Sequence, residues 1–194
     1  MNFLAHIFLS FGDDDISIGN FIADSIQGNQ YTHLPEKIQK GIVLHRAIDS
    51  YTDAHNIHKK SRKRLHKNQG HYSGVVIDVF YDHFLAKKWT MYADEPLAEY
   101  VSRFYTLLHT RYELLPEPAK RMLPYMVADN WLLNYARLEG IDSVLKGLYR
   151  RTGQKSNMNE AIRDLTEHYD LFEAEFHAFF KELIIFSHQK FRSL

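Results

Sequence analysis

Ser73-Gly-Val-Val-Ile-Asp-Val-Phe-Tyr-Asp-His-Phe-Leu-Ala-Lys-Lys-Trp89 is the stretch that decides the fold. Val75, Val76, Ile77, Val79, Phe80, Tyr81, Phe84 and Leu85 put apolar surface on every side of it. A surface helix would keep a polar stripe, so the segment reads as a helix buried at the centre of the protein. It nevertheless carries Asp78 and Asp82 at i,i+4 spacing, on one face, with His83 a step further round. Carboxylates in an apolar interior are costly unless a cation or hydrogen bonds compensate them. A divalent metal is the simplest candidate for the compensating charge.

Working outward, nine glycines, five prolines and almost no strand-type alternation point to an all-α, single-domain helical bundle over residues 1–194. The expected helices are Phe3 to Ser10, then one capped by the Asp13-Asp14-Asp15 run and ending before Gly28, then Pro35 to Tyr51 and His55 to Lys67. After the central helix come one from Pro96 to before Pro116, two short helices broken at Pro124, one over Ile141 to Arg151, and a single long helix from Met158 to Phe191. With 45% hydrophobic residues the chain can bury one substantial core.

Cysteine is absent, which excludes disulfides and thiolate metal sites. Any metal must then be held by His, Asp, Glu, carbonyl oxygen or water, a set that suits Mn²⁺, Mg²⁺, Fe²⁺ or Zn²⁺. Twenty-four basic and 24 acidic residues cancel, so no overall charge argues for nucleic acid. No apolar run reaches the roughly 20 residues of a membrane span, and the N-terminal stretch has no basic start of a signal peptide. The expectation is a cytoplasmic protein.

Chemistry-bearing residues recur in apolar contexts. His45 and Asp49 lie one helical turn apart and can ligate one ion, although a surface ion pair has the same spacing. Arg46 beside them is suited to clamp a phosphate. Asp24 follows Gly19-Asn20-Phe21-Ile22-Ala23, where a capping role is the alternative. His6 sits in Leu4-Ala5-His6-Ile7-Phe8, where a satisfied core histidine is the plainer reading. Several segments that each bring His or Asp into apolar surroundings fit a metal site assembled between helices. His58 to Lys67 holds six Lys or Arg in ten residues, a local positive field for an acidic partner or an ordinary solvated face. No Glu-x-x-His, His-Glu-x-x-His, phosphate-binding glycine loop or Gly-x-Ser-x-Gly occurs.

Taken together, Met1-Asn2-Phe3-Leu4-Ala5-His6, Gly19-Asn20-x-x-Ala23-Asp24, Gly41-Ile42-x-x-His45-Arg46-x-Ile48-Asp49-x-x-Thr52-Asp53 and Asp78-Val79-x-Tyr81-Asp82-His83-Phe84-Leu85 resemble the acyl carrier protein phosphodiesterase family in order and spacing. Trp131-Leu132 and Gly140-Ile141 fall where its weaker landmarks stand, so the resemblance covers essentially the whole chain. It implies a helical enzyme distantly similar to HD-type metal phosphohydrolases. Such an enzyme hydrolyses the phosphodiester between 4′-phosphopantetheine and a serine of holo acyl carrier protein, usually with Mn²⁺, and Mg²⁺ or Fe²⁺ as alternatives. One departure is plain: there is no His-Asp dipeptide, only the reversed Asp82-His83, so ligand roles do not transfer one for one.

On residues and resemblance together, His6, Asp24, His45, Asp49 and Asp82 are expected to hold or support the metal. Asp78 and His83 are expected to act as base, acid or orienting group, Arg46 to hold the phosphate, and Asn20 to orient water or phosphate. Lys59, Lys60, Arg62, Lys63 and Arg64 are expected to meet the acidic carrier protein. A phosphohydrolase for small phosphoesters and a non-catalytic adaptor for acidic proteins are the rival readings.

Overall fold

The computed structural model describes residues 1–194 and is built of eleven α-helices joined by short 3-10 turns, with no strand. They are α1 (Phe3–Phe8), α2 (Asp14–Ile22), α3 (Glu36–Ala54), α4 (Asn56–Gln69), α5 (Ser73–Lys87), α6 (Leu97–Thr110), α7 (Glu117–Ala128), α8 (Trp131–Asn134), α9 (Leu138–Arg151), α10 (Ala161–Glu167) and α11 (Tyr169–Arg192). As its all-round apolar pattern requires, α5 is the buried axis and packs against α1, α4, α9 and α11.

The aromatic stripe of α11 covers one flank of α5. Phe80 meets Phe172 with ring centroids 5.4 Å apart, and Tyr81 lies between Phe176 and Phe179 at 5.5 and 5.6 Å. Tilted and edge-on pairs of this kind add stability beyond their buried area. The Tyr81 hydroxyl shares a hydrogen bond with Ser61 of α4, so the polar tip is satisfied inside the core.

Two boundaries differ from the sequence expectation. Pro124 does not break a helix: it is exposed within α7, where the carbonyl it leaves unpaired can be solvated. The break comes at Asn130, in the left-handed region at φ 44°, which an asparagine tolerates better than most residues. The expected single helix over 158–191 is also divided. Met158–Glu160 is a 3-10 turn, and the chain turns at His168 between α10 and α11. No Gly or Pro marks that turn.

Two glycines set the position of the site. Gly19 of α2 and Gly41 of α3 face each other so closely that a Cβ on Gly41 would lie 2.3 Å from the Ile16 carbonyl oxygen and 2.8 Å from the Gly19 Cα. This contact lets the Asn20 backbone approach the side chain of His45. Gly41→Ala should therefore push the helices apart and cost about 2–3 kcal/mol, together with loss of the Asn20–His45 hydrogen bond. Thermal melting and the His45 ring resonances check this; an unchanged melt would mean that the crossing is not tight.

Candidate active site

His6 from α1, and His45 and Asp49 from α3, converge where these helices meet the end of α2. Their ligating atoms all lie within 4.8 Å of one another, close enough to share one ion. His6 Nε2 is 3.2 Å from Asp49 Oδ1, and His45 Nε2 is 3.0 Å from Asp49 Oδ2. Asp24, in the 3-10 turn Ala23–Ser25, reaches His45 Nε2 at 3.1 Å. The two imidazoles are buried and stacked, with centroids 3.9 Å apart.

Asn20, wholly buried on α2, fixes both rings. Its amide nitrogen donates to the His6 carbonyl at 2.7 Å and to Ser10 Oγ at 3.1 Å, which turns its Oδ1 toward His6 Nδ1 at 2.8 Å. The Asn20 backbone carbonyl lies 2.8 Å from His45 Nδ1. Both acceptors are carbonyl oxygens, so both Nδ1 atoms carry hydrogen, and each neutral ring presents the lone pair of its Nε2. Those lone pairs face carboxylates, and His6 Nε2 is buried with no hydrogen-bond partner. Lone pairs meeting lone pairs require a proton or a cation between them. A carbonyl on the far nitrogen of each ligating histidine is the usual support of a metal-binding imidazole. The donor set of two imidazoles and one carboxylate, with a further carboxylate beside it, fits a divalent first-row ion.

Without a cation, protons fill part of the gap. Burial pushes His45 down, but its hydrogen bonds to Asp24 and Asp49 outweigh this and raise it to about 9. Burial and then the charge of His45 hold His6 below the ordinary imidazole value. Burial would push Asp49 up, yet the two histidines hold it far below the usual carboxylate range. A group raised from 6.5 to about 9 stabilises the fold fully below pH 6.5 and stops doing so as pH rises through 9. Metal-free protein should accordingly lose melting temperature between these values, and His45→Ala should flatten that slope. Metal affinity should rise over the same window, because the ion displaces the proton.

Next to this cluster, Asp78 Oδ1 lies 3.1 Å from His58 Nε2 and 3.3 Å from the Met1 α-amino nitrogen, which is also 3.7 Å from Asp49. Burial would raise Asp78, but the ammonium and His58 keep it below the ordinary carboxylate value. Asp24, Asp49 and Asp78 together line the acidic end of a cleft of about 1610 Å³. The opposite wall comes from α7, α8 and α9 and contributes Met122, Trp131, Val144 and Leu148.

Eight of the expected site residues, five of them on α4, are placed elsewhere. Asp82 is fully buried, and its two oxygens accept the backbone N–H groups of Leu4 at 2.7 Å and Ala5 at 3.2 Å. These are unpaired donors of the first turn of α1, whose own flanking residue Asn2 makes no side-chain cap. Asp82 thus acts as a helix cap supplied from another helix. His83 faces away from the cleft: its Nδ1 donates to the Tyr135 carbonyl at 2.7 Å and its Nε2 meets the Tyr169 hydroxyl at 2.8 Å. Arg46 donates to the Gly28 carbonyl at 2.6 Å and stacks on Tyr31, which ties down the loop after Asp24. Arg64 forms a two-pronged pair with Glu175 at 2.6 and 2.8 Å, joined by Lys60 at 3.2 Å. Lys59, Arg62 and Lys63 are exposed, and α4 lends no residue to the cleft.

Comparison with known proteins covers nearly the whole chain. Residues 1–183 match the acyl carrier protein phosphodiesterase family. The chain belongs to that family. Relatives named acyl carrier protein phosphodiesterase include those of Salmonella agona (strain SL483) and Salmonella newport (strain SL254). Each is 31% identical over 188 residues, covering 95% of this chain and 96% of the relative. The one from Salmonella paratyphi A (strain ATCC 9150 / SARB42) is 31% identical over 185 residues. No solved structure matches the chain.

Sequence reasoning missed one residue of the candidate site and one feature of the cleft around it. His58 reads as one more member of a basic run, yet it is buried against Asp78. No acidic residue stands one turn away from it, where Ala54 and Arg62 lie, so nothing local marked it. The arginines of the α7–α9 wall are scattered over 121–151 and reach one cleft only through the fold.

Proposed function

We propose that this chain is a metal-dependent phosphodiesterase that releases 4′-phosphopantetheine from the serine of holo acyl carrier protein. The relatives' name supports the substrate. The single observation that carries the metal dependence is the pair of buried imidazoles whose Nε2 lone pairs turn onto Asp49 at the edge of the cleft. His6, His45 and Asp49 would hold the cation, with Asp24 as a further oxygen donor. Mn²⁺ is the first choice and Fe²⁺ also suits this donor set, whereas Mg²⁺, which prefers oxygen ligands, suits two imidazoles less well. When bound, the cation polarises the phosphoryl group and makes a water more acidic.

The chain's own residues do the rest. Asn20 locks both rings so that the donor atoms need no rearrangement. Asp78, ionised and facing the cleft, accepts the proton of the attacking water while His58 donates to its other side. Phosphorus gains the water oxygen, the bond to the serine oxygen breaks, and the proton passes from Asp78 to that oxygen. The apolar part of the cleft receives the pantetheine arm. Mixing the protein with holo carrier and Mn²⁺ should convert the carrier to its apo mass and release 4′-phosphopantetheine. An unchanged carrier mass with Mn²⁺, Mg²⁺ and Fe²⁺ alike would remove this reading.

A further inference from the structure

The cleft is larger than a small phosphoester needs. At about 1610 Å³ it exceeds the roughly 300–1,000 Å³ typical of small-ligand pockets, and its charges are unevenly shared. The segments up to α5 contribute the carboxylates of Asp24, Asp49, Asp53 and Asp78. The α7–α9 wall contributes Arg121, Arg137 just before α9, and Arg150 and Arg151 of its last turn, against the two acids Asp129 and Glu139. In a chain of zero net charge that wall is a local positive excess. Arg137 pairs with Glu139 at 3.6 Å and Arg121 with Glu117 at 4.0 Å, both on exposed side chains, and such pairs exchange readily. Arg150 and Arg151 are exposed and take part in none of the protein's ion pairs.

A phosphodiester held beside Asp49 by a cation leaves Arg150 and Arg151 with nothing to neutralise if the substrate is small. A substrate that carries its phosphodiester on a negatively charged protein face would reach them. We propose that Arg121, Arg137, Arg150 and Arg151 form the docking surface for an acidic face of the carrier protein, and that the α4 basic helix does not. The proposal rests on the substrate named above. It moves recognition from the segment richest in lysine and arginine to one that shares a cleft with the metal ligands. Opposed charge of this kind speeds encounter and fixes orientation, and it weakens with salt.

The test is binding rather than turnover. Metal-free protein is titrated with fluorescently labelled holo carrier protein at low and moderate salt. The double variant R150E/R151E should weaken binding at least about tenfold and reduce its salt dependence, whereas K59E/K63E should change it less than about twofold. Helical circular dichroism confirms that both variants fold. In parallel, hydrolysis of bis(p-nitrophenyl) phosphate by Mn²⁺-loaded R150E/R151E should match that of the wild type. No binding by the wild type, equal binding by R150E/R151E, or a larger loss in K59E/K63E would each overturn the docking surface. Arginine-dependent binding without carrier hydrolysis would instead remove the catalytic reading and leave the docking surface standing.

Discussion

Asp49→Asn should lower Mn²⁺-dependent hydrolysis of holo carrier by about 10³-fold and leave the fold intact. Asp49 is the one residue that touches both imidazole Nε2 atoms, at 3.2 and 3.0 Å. The amide has nearly the same shape, but it is neutral, and because the two histidines face different oxygens its single NH2 can donate to only one of them. One Nε2 lone pair would then be capped by a hydrogen-bond donor, and the anionic donor between the two rings would be gone. Losing the electrostatic help of a metal removes several kcal/mol of transition-state stabilisation, and each 1.36 kcal/mol is a factor of ten. A second readout separates this from misfolding. His45 is held up at about 9 by Asp24 and Asp49 against the opposing effect of burial, so its titration, followed by its ring resonances, should move down in the variant. Bound Mn²⁺ should fall well below that of the wild type. Rates within tenfold of wild type, with metal retained, would falsify the assignment of Asp49.

Asp82→Ala should behave in the opposite way: it should damage the fold first and the metal site second. The side chain is fully buried and makes two hydrogen bonds to backbone N–H groups at the start of α1. Truncation leaves both donors buried and unpaired, at about 1–3 kcal/mol each, so a loss of about 4 kcal/mol is expected. For a chain of this size that corresponds to roughly 8–16 °C in melting temperature. Well below the new midpoint, the folded variant should still bind metal through His6, His45 and Asp49. A variant of undiminished stability that no longer takes up metal would restore Asp82 to the ligand set and contradict its part as a cap.

Asp82, expected from the sequence as a metal ligand, is placed against the start of α1. Carboxylates in an apolar helix had to be compensated, and both are. Asp78 meets His58 and the Met1 amino group, while Asp82 meets two backbone N–H groups. Spacing places the two acids on one face, but it does not say which partner each will find. Arg46 makes the same point. Its neighbour His45 points into the cluster, and one residue further round the helix its own side chain binds the loop at Gly28.

By itself the sequence determined the all-helical class, the central position of the 73–89 segment, and the candidacy of His6, Asp24, His45 and Asp49. The first two follow from local periodicity; the candidacy follows from the cost of placing polar groups among apolar neighbours taken together with the family resemblance. Tertiary structure alone decided which of the candidates share a point in space. The Gly19–Gly41 contact brings the Asn20 carbonyl to His45, and the packing of α7, α8 and α9 carries arginines from residues 121–151 to the same cleft. Those outcomes depend on distances between segments remote in the chain, which no local pattern encodes.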